Sequence, residues 1–277
     1  MSGGTLYVVA TPIGNLEDVT LRAVRILREV HTIAAEDTRR SMALLQHLGI
    51  GGKRVIALHA HSSEAQVERL ADTLASGEDV AILTDAGTPI VSDPGDAIVR
   101  AAIARGVPVV PLPGASAVLA ALVGSGLGGG PFRFLGFIPR DGTSRNEALA
   151  RVAETTETVI LFESPNRTHD TLVDLAAIMP TREVAVAREL TKMHEEFVRS
   201  SLAELAKTER EWIGEVTIVL GPHQRDEAAV DDAALDVRID EELARGGHAK
   251  GIAERLAAWS GRPKRDVYER VVTRRGR

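Results

Sequence analysis

Short apolar, largely β-branched runs alternate with helix-like segments through the first 110 residues, and this alternation constrains the fold most. The runs are apolar on both faces, as strands of a parallel sheet are when helices cover both of its sides. The alternation predicts βαβ units, in which ligands collect at the carboxyl ends of the strands. The predicted strands are Leu6–Ala10, Thr32–Ala35, Val55–Leu58, Val80–Leu83 and Val107–Val110.

Two helices between these strands carry recognisable signals. Val19–Glu29 places apolar residues on one helical stripe. Ser63 and Gln66 fit a capping box that opens a second helix, and Gly77 is placed to end it.

A glycine-rich segment, Gly124–Pro131, interrupts the pattern after an apolar helix predicted over Ala115–Val123. It contains a Gly-x-Gly-x-x-Gly motif, but a helix precedes it and a strand follows, so it predicts a loop and not a dinucleotide site. We expect an N-terminal α/β domain over 1–122 and a shorter α/β domain of mixed strand direction over 123–222. The second domain's predicted elements are strands Phe132–Ile138, Val159–Phe162, Val184–Ala187 and Val216–Leu220, and helices near Asn146–Ala153, Thr168–Ile178 and Leu202–Lys207.

The charge is unevenly distributed along the chain. The net charge is −6, yet residues 245–277 contain ten Lys/Arg against three Asp/Glu. After a predicted linker over 223–232, three short helices around Ile239–Leu243, Ile252–Trp259 and Val267–Val272 predict a basic, helix-turn-helix-like module over 233–277. Such a cluster suits a nucleic-acid phosphate backbone. A solvated basic surface explains the same charges equally well.

Composition excludes several classes of protein. The chain has no cysteine, which excludes disulfides, thiolate metal sites and cysteine nucleophiles. No apolar run reaches the roughly 18 residues of a membrane span, and residues 1–10 lack the basic and hydrophobic regions of a signal peptide. We therefore expect a cytoplasmic protein without a membrane segment and without a metal.

Polar loops rich in Gly, Pro, Asp and Thr follow four of the predicted strands. Parallel strands bring their carboxyl ends to one edge of the sheet, where such loops let a ligand approach the backbone closely. Each loop alone is explained as a turn, but their repetition at one edge predicts a binding site. The loops are Thr11–Asn15, Glu36–Arg39, Thr84–Pro89 with Ser92–Gly95, and Pro111–Ser116.

A series of motifs in these loops and beyond resembles the ribosomal RNA small subunit methyltransferase I family, within the tetrapyrrole methylase superfamily. The resemblance covers residues 5–221, and the basic tail is similar to that family's C-terminal module. Asn166, where the family has His, and the less basic Gly142–Ser144 depart from the pattern. The motifs are Ala10–Asp18, Glu36–Arg39, Thr84–Gly95, Pro113–Ala117, Gly136–Pro139, Glu163–Pro165, Arg188–Lys192 and Gly214–Glu215.

This resemblance implies a two-domain tetrapyrrole-methylase-like (class III methyltransferase) α/β fold, a homodimer, and S-adenosyl-L-methionine held between the domains. The implied activity is 2′-O-methylation of a cytidine ribose in 16S ribosomal RNA of the small ribosomal subunit. Core packing explains Phe162 as well as a cofactor contact does. The residues implied to bind the cofactor are Ile13, Gly14, Asp85, Thr88, Ser116, Ala117 and Phe162.

A ribose hydroxyl is a poor nucleophile near neutral pH, so a carboxylate or a lysine of lowered pKa must take its proton. Glu36, Asp37, Glu189 and Lys192 are the catalytic candidates, although Asp37–Arg39 and Glu189–Lys192 ion pairs that only fix their loops are equally consistent. A methylase of a tetrapyrrole or other small acceptor, and a non-catalytic nucleic-acid-binding protein, are the alternatives. The predicted RNA-binding residues are Arg39 and Arg40, expected in a loop before a helix, together with Lys250, Lys264 and Arg265.

Overall fold

A computed structural model describes residues 3–59, 62–223, 232–244, 247–260 and 262–275 of the chain. The chain divides into two units, residues 1–222 and 223–277. The first unit contains two five-stranded sheets with helices around them. The α/β class predicted from the sequence is confirmed.

The first sheet is entirely parallel, with strand order β3-β2-β4-β1-β5. Its strands are short, and the three central ones are almost entirely buried because the connecting helices cover both faces. Its strands are β1 (Leu6–Val9), β2 (Thr32–Ala35), β3 (Arg54–Ala57), β4 (Val80–Leu83) and β5 (Val109–Leu112), and its helices are α1 (Leu21–Glu29), α2 (Thr38–His47), α3 (Glu64–Ala75) and α4 (Asp96–Ala104), with a 3₁₀ turn at Leu16–Asp18.

Two apolar cores lie on opposite faces of this sheet. Leu27 of α1 and Leu45 of α2 pack with Val9 and Ile33 on one face. The helices α3 and α4 pack on the other face, in a cluster with Ile82 of β4. The helix that follows β1 therefore lies on one face of the sheet and the helix that follows β4 lies on the other, although β1 and β4 are neighbouring strands. A crevice for ligands is expected at the carboxyl ends of such a strand pair.

The second sheet has the order β6-β7-β10-β8-β9 and is mixed in direction. The β6–β7 pair is parallel and the other three pairs are antiparallel, which confirms the predicted mixed direction. Its elements are α5 (Ala117–Ser125), β6 (Phe132–Phe137), α6 (Gly142–Glu154), β7 (Thr158–Glu163), α7 (Pro165–Ile178), β8 (Glu183–Arg188), β9 (Glu196–Ser201), α8 (Leu202–Lys207) and β10 (Val216–Leu220).

The helix α5 packs through Val118 and Ala121 on the second sheet, with Ile160 and Val219. The domain boundary predicted after residue 122 falls inside this helix. The glycine-rich segment that follows forms the connection to β6, as predicted.

Three details of the first sheet and its helices differ from the sequence predictions. The last strand lies at Val109–Leu112 and not at 107–110, and it tolerates Pro111 because it is an edge strand. Ser63 caps α3 without a side-chain hydrogen bond, so the predicted capping box is absent. Arg39 and Arg40 lie in the first turn of α2 and not in a preceding loop, because α2 begins at Thr38.

The second unit contains α9 (Asp232–Ala244), α10 (Ala249–Ser260) and α11 (Lys264–Arg275). Its core includes Leu235, Ile252 and Val267 from the three helices. The predicted linker lies, apart from His223 and Asp232, outside the described residues. Within the described ranges, no helix has the length and apolar character needed to cross a membrane.

Candidate functional site

A cavity of about 330 Å³ lies in the first unit, where loops from the first sheet meet strands of the second. Five of the predicted cofactor residues are in its lining: Ile13, Thr88, Ser116, Ala117 and Phe162. They come from the loops after β1, β4 and β5 and from β7. The structure therefore brings together residues that are up to about 150 positions apart in the chain.

Hydrogen bonds between loops shape the first-sheet side of this cavity. Thr11 and Gly87 form an isolated antiparallel bridge, which ties the loop after β1 to the loop after β4. The buried Thr11 hydroxyl also donates to the Thr84 carbonyl at 3.1 Å. Ser116 is the N-cap of α5 and its Oγ accepts from the Leu119 amide. The wall is thus formed by backbone turns that local capping holds in place.

Aromatic rings form the opposite wall. The ring of Phe162 contacts Phe134 edge-on at a centroid distance of 4.8 Å and lies 5.6 Å from the ring of Phe137. Phe137 and Phe162 both line the cavity. Phe162 therefore packs in an aromatic cluster and also presents a surface to the cavity.

Two predicted cofactor residues lie outside this lining. Asp85 accepts a hydrogen bond from the Asp37 amide at 3.0 Å and pairs with Arg40 at 3.5 Å. Gly14 packs beneath the loop at 190–192, where an added Cβ would lie 2.5 Å from Lys192 Cγ and 3.0 Å from the Leu190 carbonyl oxygen. Both residues hold loops beside the cavity.

Asp93 lines the cavity and was not among the predicted site residues. Burial raises the pKa of its carboxyl to about 6. The Thr84 side chain opposes this rise, and the carboxylates of Glu36 and Asp85 add to it. The motif Ser92–Gly95 contained this residue. Its half-buried position depends on the tertiary fold. The sequence motif therefore predicted that this loop forms part of a site, but not that Asp93 is the side chain that lines it.

Glu36 lies at the carboxyl end of β2, against the loop after β4. Its Oε2 accepts from the Thr84 hydroxyl at 2.8 Å and from the Asp85 amide at 3.4 Å. Within the part of the chain that the structure describes, its Oε1 accepts no hydrogen bond. One carboxylate oxygen is thus fixed and the other is available.

Asp37 and the two arginines that follow it begin α2. Asp37 is the N-cap, and its Oδ1 accepts from the Arg39 amide at 2.8 Å. The Arg39 guanidinium donates to the same carboxylate and lowers the Asp37 pKa to about 2. Arginines in a first helical turn oppose the helix dipole. The side chain of Arg39 is 90% exposed, and an exposed ion pair is weak enough to exchange for an anionic ligand.

Glu189 and Lys192 form an ion pair beside the cavity. Lys192 Nζ lies 2.8 Å from Glu189 Oε1 and 3.2 Å from Glu215 Oε2. Burial alone would lower the Lys192 pKa, but hydrogen bonds to these two carboxylates outweigh it and raise the pKa. The hydrogen bond from Lys192 lowers the Glu189 pKa, with help from the Glu215 amide. Lys192 is therefore protonated and is not a lysine of lowered pKa.

Backbone strain concentrates around this site. Among the described residues, the non-glycine residues with positive φ are Ile90 (78°), Ser92 (64°), Glu189 (51°) and Thr191 (64°). Each such residue costs roughly 1–3 kcal/mol, and strain of this kind is typical of functional sites. Here it falls on the loop after β4 and on the loop of Lys192.

Two sets of basic residues among those described in the second unit differ in how firmly they are paired. Arg270 and Arg274 donate to the acidic face of α9, at Asp232, Asp236 and Asp240. The basic cluster predicted from the sequence was counted from residue 245, so the count did not include these three aspartates. The predicted RNA-binding residues form looser contacts. Lys264 pairs with Glu254 at 2.7 Å, Arg265 pairs with Glu269 at 3.2 Å, and Lys250 and Lys264 together lower the Glu254 pKa.

Known protein structures share this fold. Uroporphyrin-III C-methyl transferase from Thermus thermophilus, in a complex with S-adenyl homocysteine, matches 79% of this chain and 97% of its own at a TM-score of 0.57 and 23% identity. A diphthine synthase matches 79% of this chain and 90% of its own at a TM-score of 0.61 and 19% identity. At these identities the likeness shows the fold alone.

Sequence comparisons are more specific. The family described as Tetrapyrrole (Corrin/Porphyrin) Methylases matches residues 5–206. Proteins named Ribosomal RNA small subunit methyltransferase I are similar over the whole length. The one from Halalkalibacterium halodurans is 42% identical over 96% of this chain and 93% of its own. The one from Pseudomonas aeruginosa is 40% identical over all of both chains. The chain therefore belongs to the tetrapyrrole methylase family and, within it, to the ribosomal RNA small subunit methyltransferase I proteins.

Proposed function

We propose that this protein transfers a methyl group from S-adenosyl-L-methionine to the ribose 2′-hydroxyl of a cytidine in 16S ribosomal RNA, as a cytoplasmic homodimer. The observation that carries the proposal is the cavity lined by residues from both sheets, in a chain that matches named rRNA methyltransferases along its length. Fold neighbours named for porphyrin substrates are more distant in sequence.

The lining of the cavity fits S-adenosyl-L-methionine. Ile13, Phe137 and Phe162 offer apolar and aromatic surface for an adenine ring. The backbone turns at Thr88 and Ser116 offer polar groups. Asp93 supplies a carboxylate for the positive charges of the sulfonium and ammonium groups. When bound, this cofactor supplies an electrophilic methyl group.

Among the four catalytic candidates, the geometry favours Glu36 as the group that accepts the hydroxyl proton. Its carboxylate has one oxygen held by Thr84 and Asp85 and one without a described partner. The low pKa of Asp37 makes that carboxylate a weak base. We propose that Asp37 positions α2, and that the Glu189–Lys192 pair positions the loop beside the cavity.

Contacts with RNA are proposed for the arginines of α2 and for the exposed basic residues of the second unit. Arg39 and Arg40 follow Glu36 closely in the chain, so they are placed to hold phosphates near the reacting sugar. Lys250, Lys264 and Arg265 would add sequence-independent affinity for the backbone.

An exposed apolar surface supports the homodimer. Leu119 and Val123 of α5 are 53% and 82% exposed. Phe132 and Leu135 lie on β6, an edge strand, and are also exposed. Exposed apolar residues on a helix and on a sheet edge are typical of association surfaces. Val123→Glu should shift the protein to monomer in light scattering, and an unchanged mass would remove this surface from the proposal.

The activity itself is tested by mass spectrometry of nucleosides from small-subunit rRNA of cells with and without this protein. A 2′-O-methylcytidine that is present only with the protein is expected. The purified protein should restore it from labelled S-adenosyl-L-methionine. An unmodified ribose in both cell types would overturn the proposal, and label on a small acceptor would favour the alternative methylase.

A further inference from the structure

A second cavity, of about 460 Å³, adjoins the first. It lies at the carboxyl ends of β2, β3 and β4, with Glu36, His59 and Pro94 among its lining residues. Its volume is within the range of about 300–1,000 Å³ for small-molecule sites. The function proposed above leaves this cavity without a ligand.

The two cavities share two lining residues, Ser92 and Asp93. The strained segment after β4 therefore forms the partition between them, with φ of 78° at Ile90 and 64° at Ser92. Across from it, an added Cβ on Gly136 would lie 3.2 Å from Ser92 Oγ, so the second sheet supports the partition closely. A methyl group transferred from one cavity to the other would therefore pass beside Ser92 and Asp93.

The lining of the second cavity selects against phosphate. It includes the carboxylates of Glu36, Asp93 and Asp96, and among its described lining residues there is no lysine or arginine. Leu58, Val67 and Ile98 add apolar surface. An anion would be repelled here, whereas a neutral ring with amino and hydroxyl groups would find both apolar contacts and hydrogen-bond acceptors.

Two cations follow one of these lining residues closely in the chain. Arg39 and Arg40 lie in the first turn of α2, three and four residues after Glu36, and their side chains are 90% and 67% exposed. The carboxylate of Glu36, which lines the cavity, and the two cations, which do not, are thus separated by only three and four residues of chain. That separation matches a nucleotide whose base and sugar enter the cavity while its phosphates stay outside.

We infer that the second cavity is the acceptor site, which takes one whole nucleoside unstacked from its RNA strand and places its ribose beside Ser92 and Asp93. This inference rests on the proposed function. It adds that the acceptor nucleotide leaves its stack, because a base that remained stacked in RNA could not enter a cavity.

The test places a larger side chain in the second cavity and leaves the lining of the first cavity unchanged. Ala97, the second residue of α4, is exposed and lines only the second cavity of the two. Ala97→Leu and Ala97→Phe should lower kcat/KM for small-subunit rRNA progressively, by at least about tenfold for Phe. Affinity for S-adenosyl-L-methionine, measured by calorimetry, should stay within about twofold of the unsubstituted protein.

Ala104, the last residue of the same helix, is also exposed and lies outside both linings. Ala104→Phe is therefore the matched control and should methylate normally. Equal activities of Ala97→Phe and Ala104→Phe would overturn the inference, as would loss of cofactor affinity in Ala97→Phe. A failure of the proposed function would look different, because the unsubstituted protein would then leave the rRNA without label. The thermal midpoint of each variant shows whether it is folded. If Ala97→Phe is misfolded, the activity of Ala97→Leu decides the result.

Discussion

Gly14 shows how a single missing side chain lets two distant loops meet. An added Cβ would lie 2.5 Å from Lys192 Cγ and 2.9 Å from Thr191 Oγ1. Gly14→Ala should therefore displace the loop of Lys192 and lower the free energy of unfolding by roughly 1–3 kcal/mol. Methyl transfer should fall with it. Thermal denaturation and a methylation assay measure the two effects.

Gly51→Ala is the control for Gly14→Ala, since no atom lies within 4 Å of a Cβ at Gly51 and its φ is not positive. This substitution should change the unfolding free energy by less than about 0.5 kcal/mol. If both variants unfold at the same temperature as the unsubstituted protein, the close approach at Gly14 has no energetic weight.

Asp93 predicts a pH dependence of cofactor binding. Its pKa of about 6 results mainly from burial. Below that pH the carboxyl is increasingly neutral and attracts a cationic ligand less. The affinity for S-adenosyl-L-methionine should therefore fall roughly tenfold between pH 7 and pH 5, as the ionised fraction falls. Calorimetry across this range measures it. Asp93→Asn should bind weakly and without the pH step, and a step that persisted in this variant would assign it to another group.

The sequence indicated the loops of the site better than the roles of individual side chains. Thr88 and Ser116 stand in turn motifs, so their position near a ligand could be predicted from local rules. Lys192, the nearest contact of Gly14, is 178 residues away in the chain, and the pKa of Asp93 depends on burial by other loops. These properties arise from tertiary contacts, which no local pattern contains.

At the scale of elements, prediction succeeded where a strand is buried on both faces. Parallel strands such as Val80–Leu83 are uninterrupted apolar runs. In contrast, β9 (Glu196–Ser201) was not predicted, because it is a partly exposed edge strand with charged residues that resembles a loop in sequence. Charged edge strands are common because they discourage pairing with other chains.

The acidic face of α9 predicts how the second unit responds to substitution and to acid. Asp236 pairs with Arg270 at 2.5 Å and with Arg274 at 2.8 Å. Asp236→Asn should lower the thermal midpoint of this unit more than Glu241→Gln, whose carboxylate pairs with Arg238 on the same helix at 3.6 Å. We call the pairs of Arg270 and Arg274 with Asp232, Asp236 and Asp240 the ladder of ion pairs. Differential scanning calorimetry of the full chain measures both midpoints, and equal midpoints would show that this ladder is not stabilising.

The stability that the same ladder contributes changes with pH in a defined direction. Hydrogen bonds from arginines lower the pKa values of Asp232, Asp236 and Asp240. Their contribution to stability is thus present above the pKa of an unfolded aspartate, about 3.9. It is lost as the pH falls through the lowered values of the folded state.

At the scale of the whole molecule, the charge balance predicts how rRNA methylation depends on salt. The chain carries a net charge of −6, so binding to RNA must depend on local cations. Arg270 and Arg274 are held by the ladder. The pairs Lys264–Glu254 and Arg265–Glu269 are partly or largely exposed, and such pairs are weak enough to exchange for phosphates. These residues, with Lys250, are therefore proposed as cations of the second unit that RNA can reach.

The triple variant Lys250→Ala, Lys264→Ala and Arg265→Ala should weaken binding of small-subunit rRNA at low salt. A plot of log affinity against log salt should become shallower by roughly 2, since each phosphate contact on single-stranded RNA contributes about 0.7. The control substitutes alanine for three exposed basic residues of the first unit that lie outside both cavity linings: Arg25, Arg151 and Lys207. It changes the net charge equally. Parallel salt plots for the two variants would mean that net charge alone acts on RNA, and that the basic residues of the second unit form a solvated surface.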